Sequence, residues 1–231
     1  MAQVEQPSFT EKLREFYLKI KYRNNYHEYY AKLMKVRTQI DPKNAIGGLW
    51  DEMGKLQFNY LVKHGLQPES RFLDFGCGAL RGGLHYIGYL NAGNYEGIDI
   101  SEDILREGRK FLKEANLEAK NPALHLVNDL SFNCVNGKKF DFIIAQSVLS
   151  HMPLKEIETS FSNIKKVMKP TTVYFATFHD GGDKTFVKEF QDFYFPFADL
   201  QNAGKRSGLK IELMNDYPHP RNQRMMKITL Q

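Results

Sequence analysis

The stretch Arg71-Phe-Leu-Asp-Phe-Gly-Cys-Gly-Ala-Leu-Arg-Gly-Gly83 decides the fold of this chain of 231 residues. A short apolar run reaches Asp74, breaks at glycines and continues as a predicted helix from about Gly83. Glycine allows the backbone to turn sharply and to approach a ligand closely. A second apolar run ends in Gly97-Ile-Asp-Ile-Ser101, which places the Asp99 carboxylate at the tip of a neighbouring strand. A carboxylate there suits the two hydroxyls of a ribose, so the sequence predicts a site for a nucleoside-containing cofactor.

Strands and helices alternate along the rest of the chain, which predicts a parallel sheet with both faces covered. The last two strands are separated only by residues 216–223, too few for a crossover helix, so they should pair antiparallel. Ligands bind beyond the carboxyl ends of parallel strands, so polar residues at those ends are the candidate site. The predicted strands cover residues 71–75, 94–98, 123–127, 140–146, 171–178, 210–215 and 224–230.

The composition predicts one α/β domain with an N-terminal extension. The chain is 42% hydrophobic, enough to bury a substantial core. No apolar run approaches the ~20 residues of a membrane span, and residues 1–7 lack the apolar core of a signal peptide. Cys77 and Cys134 give no disulfide framework. We therefore expect a cytoplasmic protein.

Most of the positive charge lies near the N-terminus. Residues 1–45 contain nine basic and five acidic side chains, a net charge of +4 out of +5 for the chain. Basic residues interleaved with aromatic ones are able to bind nucleic acid or an anionic surface. The favoured interpretation is a helical extension, ending at Asp41-Pro42, whose aromatic residues pack on the domain. The aromatic residues are Phe9, Phe16, Tyr17, Tyr22, Tyr26, Tyr29 and Tyr30.

Four motifs in order give the chain, over about residues 56–230, a resemblance to the class I S-adenosylmethionine-dependent methyltransferases. Asp74-Phe-Gly-Cys-Gly78 resembles their first motif, Asp-x-Gly-x-Gly, and Gly97-Ile-Asp-Ile-Ser101 resembles their second. Asn128-Asp129 stands where the family often places an acidic residue that contacts adenine. The segment 140–153 is similar to the fourth strand and its exit loop.

The resemblance implies an α/β, Rossmann-like, mostly parallel seven-stranded sheet with an antiparallel last strand and helices on both faces. Residues 1–48 would form the N-terminal helical extension or lid, and residues 49–231 the methyltransferase domain. One departure is Leu80, which stands where the family has a third glycine. A dinucleotide-binding turn is disfavoured because Arg81 replaces the third glycine of Gly-x-Gly-x-x-Gly.

The cofactor implied by the resemblance is S-adenosylmethionine, with S-adenosylhomocysteine as product. The glycine turn would shape the methionine end, and Arg81 would pair with the cofactor's carboxylate unless it is a surface arginine. Asp99 would hold the ribose. The full set of predicted cofactor residues is Asp74, Gly76, Gly78, Arg81, Asp99, Ile100 (adenine face), Asp129 (adenine amino group) and Gln146 (sulfonium end).

Methyl transfer is an in-line displacement, so the protein mainly positions the acceptor, and a histidine base would help a hydroxyl acceptor. His179, with Asp180 beside it, is the first candidate base, and His151 is the second unless it only caps a helix. His219 and Arg221 would recognise substrate unless they only brace their loop. The substrate-binding candidates also include Trp50, as a cover from the N-terminal side. No ligand spacing supports a metal.

Strand four ends without the Asn/Asp-Pro-Pro-aromatic motif of base-amine methyltransferases, and no cysteine lies on strand four or five. We therefore expect methylation of a hydroxyl or amine of a small molecule. Two alternatives stay open. One is an RNA or protein methyltransferase that docks through its basic N-terminal segment. The other is a non-catalytic cofactor-binding subunit. Oxygen versus nitrogen as acceptor, and the oligomeric state, stay undetermined at this level.

Overall fold

Nine strands form one sheet in the computed structural model, which describes residues 9–22, 26–189 and 191–231. The strands are β1 (Phe72–Phe75), β2 (Tyr95–Asp99), β3 (Ala123–Leu126), β4 (Phe140–Ala145), β5 (Met168–Asp180), β6 (Phe186–Lys188), β7 (Asp192–Phe195), β8 (Leu209–Met214) and β9 (Gln223–Leu230). The α-helices are α1 (Phe9–Lys21), α2 (Tyr26–Ile40), α3 (Pro42–Ala45), α4 (Trp50–Lys63), α5 (Gly83–Tyr89), α6 (Glu102–Glu114), α7 (Leu154–Ile164) and α8 (Phe197–Arg206).

The sheet is parallel from β3 through β2, β1 and β4 to β5, and β9 then pairs antiparallel with β5 and β8. The predicted Rossmann-like sheet with an antiparallel last strand is confirmed. Because β1 lies between β2 and β4, the turn after Phe75 opens at the centre of the carboxyl edge. Asp99 ends the neighbouring β2, and Ala145 ends β4 on the other side. This topology gathers the predicted polar residues at one edge.

Two strands exceed the predicted seven. β5 runs on to Asp180, past the end of β4, and β7 pairs parallel with His179 and Asp180. Since β9 occupies the other edge of His179, β7 takes the edge that β4 leaves free. β6 and β7 form an antiparallel hairpin. The aromatic side chains of this hairpin, among them Phe186 and Tyr194, thus belong to an extension of the sheet.

Successive side chains of a strand point to opposite faces of the sheet, so each central strand contributes to two hydrophobic layers. Leu73 and Ile143 face α7 and α8, whereas Phe72, Phe142 and Ile144 face α4 and α5. Helices therefore cover both faces, as predicted. Among the helices that the structure describes, none is both long and apolar enough to cross a membrane.

The N-terminal helices pack on the edge of the sheet that carries the glycine turn. Met34 of α2 and Ala45 of α3 share a small cluster with Ala79 and with Ile104 of α6. Asp41 caps α3, with its carboxylate accepting from the backbone of the first turn. A glycine-containing turn then leads into α4. The division at residue 48 stays a prediction, because the cluster joins residues from both sides of it.

Candidate active site

A cavity of about 340 Å³ lies at the carboxyl edge of β1, β2, β4 and β5. This volume lies within the range of small-molecule sites in proteins. Its floor is the turn after β1, and its sides are the segments that follow β2, β4 and β5. Two segments that do not follow a parallel strand complete the cavity wall: the loop between β8 and β9, and the helix α2. The predicted edge of the sheet is thus the one that forms a cavity.

The turn after β1 brings bare backbone to the cavity. Gly76 and Gly78 have φ angles of 75° and 56°, a conformation that costs other residues energy. A Cβ on Gly76 would overlap the side chain of Val148, and one on Gly78 would lie 3.1 Å from Ile46. Leu80, where the family has its third glycine, keeps a positive φ of 68°. The turn therefore holds its shape despite this departure.

Asp99 joins the second strand to this turn. Its Oδ2 accepts a hydrogen bond from the Gly78 backbone N–H at 2.9 Å, and its Oδ1 accepts from Ser101 at 3.0 Å. Burial raises its pKa to about 6, against the opposing effect of these backbone donors. Each carboxylate oxygen keeps a further acceptor site, so the group is able to take ribose hydroxyls, and Ile100 lines the cavity beside it.

A second buried carboxyl, Asp74, also lines the cavity. The Tyr95 hydroxyl donates to its Oδ2 at 2.8 Å. Burial raises the pKa of Asp74 to about 7; the Tyr95 hydrogen bond opposes this shift, and the nearby Asp99 charge adds to it. A carboxyl so poorly compensated suits a cationic ligand group such as the ammonium of a bound amino acid.

Arg81 is buried and lines the cavity, so the alternative of a surface arginine is wrong. Its Nη1 donates to the carbonyls of Ile46 at 3.1 Å and Gly48 at 2.8 Å. Burial lowers its pKa to about 10. Arg221, from the loop between β8 and β9, donates to the carbonyl of Gly47 through Nη2. Two arginines of the cavity wall therefore hold the turn that leads from the N-terminal helices.

The sequence did not point to the residues that α2 places in the cavity wall, namely Tyr30, Met34 and Arg37. Tyr30 and Arg37 belong to the basic and aromatic N-terminal segment, whose composition does not single out any one residue. The spacing of residues along α2 does not indicate which face of this helix lines the cavity, because that depends on how α2 packs against α6.

His179 lines the cavity, but its expected partner is turned away. The Asp180 carboxylate accepts from Arg224 at 2.7 Å and from the Gly182 backbone at 2.9 Å. Successive residues of a strand point to opposite faces, so the suggested pair of Asp180 and His179 does not form. His179 stacks instead on Tyr194 at 4.5 Å between ring centroids. Burial lowers its pKa.

His151 has an acidic side chain, that of Asp192, within direct contact distance. Its Nδ1 lies 3.1 Å from Oδ1 of Asp192 and 3.0 Å from the Gln191 carbonyl oxygen. Its ring stacks on Tyr30, with centroids 5.3 Å apart. Burial alone would raise the pKa of Asp192, but the hydrogen bond and charge of His151 lower it. Asp192 comes from the added strand β7 and had no place among the residues predicted from sequence.

Gln146 and His219 meet across the cavity wall. Nε2 of Gln146 lies 3.0 Å from Nε2 of His219, and its Oε1 accepts from the Tyr217 hydroxyl at 2.8 Å. Burial and the nearby charges of Arg81 and Arg221 lower the pKa of His219 to about 4. His219 is therefore a neutral ring at physiological pH.

Two predicted site residues lie outside the cavity lining. Asp129 is exposed, and its carboxylate accepts from the Ser131 backbone in a turn at 2.8 Å. Trp50 begins α4 and packs on Phe111 of α6, with Lys43 above its ring. Their placement lends no support to the predicted contacts. In the described part of the chain, no three His, Cys, Asp or Glu side chains group as a metal site would require.

Comparison with known proteins agrees with this geometry. Residues 73–174 match the family model described as a methyltransferase domain. The fold is similar to magnesium protoporphyrin IX methyltransferase from Synechocystis PCC 6803 with bound S-adenosylmethionine, with a TM-score of 0.63, 17% identity, and coverage of 99% of this chain and 100% of that one.

Two further solved structures share the fold. An S-adenosylmethionine-dependent methyltransferase from Clostridium acetobutylicum has a TM-score of 0.59 at 14% identity and covers 96% of this chain and 99% of its own. The glycopeptide N-methyltransferase MtfA, complexed with S-adenosylhomocysteine, has a TM-score of 0.61 at 11% identity, covering 77% and 90%. The open-backbone turn and the carboxylates of Asp74 and Asp99 fit such a cofactor. Residues 73–174 thus match a methyltransferase domain, and the chain has the fold of S-adenosylmethionine-dependent methyltransferases.

Proposed function

We propose that the enzyme methylates a hydroxyl or amine of a small molecule, with His151 as general base and Asp192 as its positioning residue. The observation that carries this proposal is the 3.1 Å approach of His151 Nδ1 to the Asp192 carboxylate, at a ring that lines the cavity. This reverses the order of the two histidines predicted from the sequence. His179 stays the second candidate.

The contacts of His151 define its chemistry. Nδ1 faces two acceptors, the Asp192 carboxylate and the Gln191 carbonyl, so the neutral ring carries its proton on Nδ1. Nε2 is then the basic nitrogen, free to take a proton from the acceptor. The Asp192 charge stabilises the imidazolium that forms, and the stack on Tyr30 fixes the plane of the ring.

The cofactor supplies an electrophilic methyl group, and the chain's own residues would hold it as follows. Asp99 would accept from the ribose hydroxyls, with Ile100 against the adenine. Asp74 would pair with the ammonium, and a free N–H of Arg81 would face the carboxylate. Gln146 would lie near the sulfonium end.

A small acceptor is supported by the site and by the relatives. The cavity that serves cofactor and acceptor together is about 340 Å³ and is walled by α2. Two of the structurally similar proteins are a porphyrin methyltransferase and a glycopeptide methyltransferase, whose acceptors are both small compared with RNA or a folded protein.

The test is an acceptor screen that detects S-adenosylhomocysteine release, followed by glutamine substitutions at the three cavity histidines. For a hydroxyl acceptor, His151→Gln should lower kcat at least a hundredfold, whereas His179→Gln and His219→Gln should change it less than tenfold. Asp192→Asn should lower kcat, because the His151 ring loses the carboxylate that orients it and stabilises its imidazolium form.

Other outcomes would redirect the proposal. Loss of activity in His179→Gln alone would return the role of base to His179. Tight cofactor binding without turnover on any acceptor would favour a non-catalytic subunit. Turnover only on RNA or protein, lost with the basic segment, would favour the macromolecular alternative.

A further inference from the structure

The outward face of α1 exposes four large apolar side chains. Leu13, Phe16, Tyr17 and Ile20 are each between 58% and 60% exposed. Their spacing of three, four and seven residues puts them on a single face of the helix. Isolated exposed apolar residues are common on protein surfaces, but a contiguous stripe of this kind marks an interaction surface. We name these four residues the α1 stripe.

The other side of α1 is attached to the protein. Glu15 accepts from Nε of Arg37 in α2 at 2.9 Å, and Leu18 is half-buried. At 100° per residue, both lie on the side of the helix away from the α1 stripe. The stripe therefore faces outward because the opposite side of α1 is already packed.

Basic side chains flank the α1 stripe on both sides. By helical geometry, Arg14 and Lys21 lie along one border of the stripe and Lys19 along the other. The Lys21 ammonium lies 5.7 Å from the centre of the Tyr17 ring. The one described acid of this helix whose side chain is placed, Glu15, points to α2 instead. The exposed face is thus apolar at its centre and cationic at its edges.

We propose that α1 is an interfacial helix that docks the enzyme on an anionic lipid bilayer. An apolar stripe bordered by lysine and arginine is the pattern of helices that lie in the plane of a membrane surface. The aromatic and aliphatic residues would enter the boundary between headgroups and acyl chains, and the basic residues would contact anionic headgroups. Charge complementarity selects this occupant over a second copy of the chain, whose α1 would bring the same positive charges.

This docking surface is linked to the site. Arg37, whose Nε donates to the Glu15 carboxylate, also lines the cavity. The ion pair between Glu15 and Arg37 would therefore connect a membrane-bound α1 to the wall of the cavity. The inference itself does not depend on methyl transfer, and it is tested without turnover.

The test is flotation of the full-length protein with vesicles of phosphatidylcholine alone or with one quarter phosphatidylglycerol. We expect at least tenfold stronger binding to the anionic vesicles, weakened at 0.5 M salt. The double variant Phe16→Asp/Ile20→Asp should bind at least tenfold more weakly. Arg14→Glu/Lys21→Glu should lose about fivefold for each charge removed. The control is Val187→Asp, which changes an apolar residue of similar exposure, 48%, on β6.

Circular dichroism and titration of S-adenosylmethionine establish that each variant folds. Equal binding to neutral and anionic vesicles, or equal binding by the wild type and the stripe variant, would overturn the proposal. Sedimentation velocity tests the alternative that a second copy of the chain binds the α1 stripe. A wild-type dimer that the stripe variant converts to monomer, without vesicle binding, would assign the stripe to a second copy instead.

Discussion

At the scale of single residues, two buried carboxyls, Asp74 and Asp99, lie at the carboxyl ends of neighbouring strands in the proposed cofactor site. Asp99 has its oxygens on the backbone N–H groups of Gly78 and Ser101, so it also fixes the turn. Asp74 has a hydroxyl donor, that of Tyr95, and a higher pKa. Both are held at a cost to folding that a bound cofactor would offset.

The first prediction concerns Asp99. Asp99→Ala should weaken S-adenosylmethionine binding at least tenfold, about 1.4 kcal/mol, because the ribose loses its acceptor and the turn loses two backbone contacts. Isothermal titration calorimetry measures this directly. Asp103→Ala is the matched control, since Asp103 follows closely in sequence but pairs with Arg106. Unchanged affinity in Asp99→Ala would remove Asp99 from the cofactor site.

The second prediction concerns pH. Asp74 has its pKa raised to about 7, so the cofactor's ammonium meets a progressively protonated partner as the pH falls below 7. Affinity for S-adenosylmethionine should therefore fall between pH 8 and pH 6, and titrations across that range would show it. Asp74→Asn should bind more weakly at pH 8 and lose most of this dependence. A slope that persists in Asp74→Asn would assign the titration to another group, such as Asp99.

The same carboxyl predicts a gain in stability. A raised pKa means that the folded state holds a proton that the unfolded state releases, so stability from Asp74 is lost as pH rises toward 7. Asp74→Asn, which does not ionise, should increase the free energy of unfolding at pH 8 by roughly 1–3 kcal/mol. Urea denaturation at pH 5 and pH 8 measures the difference. If Asp74→Asn were less stable than the wild type at pH 8, the predicted direction of the stability change would be wrong.

At the scale of elements, the turn between β1 and α5 and the hairpin of β6 and β7 build opposite sides of the site. The turn supplies bare backbone, and the hairpin brings Asp192 to His151. The hairpin exists because β5 extends beyond β4 and leaves an edge to be paired. An element that completes an open strand edge thus also carries the acidic partner of a cavity histidine.

The turn gives a prediction with an internal control. Gly76→Ala and Gly93→Ala both place a side chain at positive φ, 75° and 80°, which costs roughly 1–2 kcal/mol. A Cβ on Gly93 meets nothing within 4 Å, whereas one on Gly76 overlaps Val148. Gly76→Ala should therefore be the more destabilising in thermal denaturation, and it should weaken cofactor binding.

The second substitution Val148→Ala should recover part of that excess, because it removes the overlapping methyl groups. Equal loss in Gly76→Ala and Gly93→Ala would mean that backbone strain alone sets the cost. In that case the close approach of Val148 would have no role in shaping the turn.

At the scale of the whole molecule, the N-terminal helices are held over the cavity by residues that are distant in sequence. Arg221 donates to Gly47, 174 residues away, and Arg81 donates to Ile46 and Gly48. These contacts attach the turn before α4 to the glycine turn and to the loop between β8 and β9. Closure of the site thus depends on contacts between segments that are distant in the sequence.

The fifth prediction tests this closure. Arg221→Ala should speed amide hydrogen exchange in residues 42–49 severalfold and should accelerate cofactor dissociation, because the turn loses one of its two arginine anchors. Arg206→Ala is the control: Arg206 forms an exposed ion pair with Glu158, far from this turn in sequence. Identical exchange in both variants would show that Arg81 alone holds the turn.

The sequence by itself determined the sheet, its antiparallel last strand and the edge where the site forms. These follow from local patterns: apolar runs with period two, glycines at the turn, and connections too short for a crossover. The position of Asp74, Gly76, Gly78 and Asp99 in the cavity lining was predictable, because each lies within a few residues of a strand end. Their contacts with a cofactor stay predictions.

Only the tertiary structure decided the pairing of His151 with Asp192, the contribution of α2 to the cavity wall, and the turning of Asp180 toward Arg224. Each depends on contacts between segments that are distant in the chain, and such contacts leave no local pattern. Asp129 shows the converse: its motif position predicted an adenine contact, but the turn that follows β3 engages its carboxylate and leaves it exposed. Local sequence determines where the strands end, whereas tertiary packing determines which side chains come into contact at those ends.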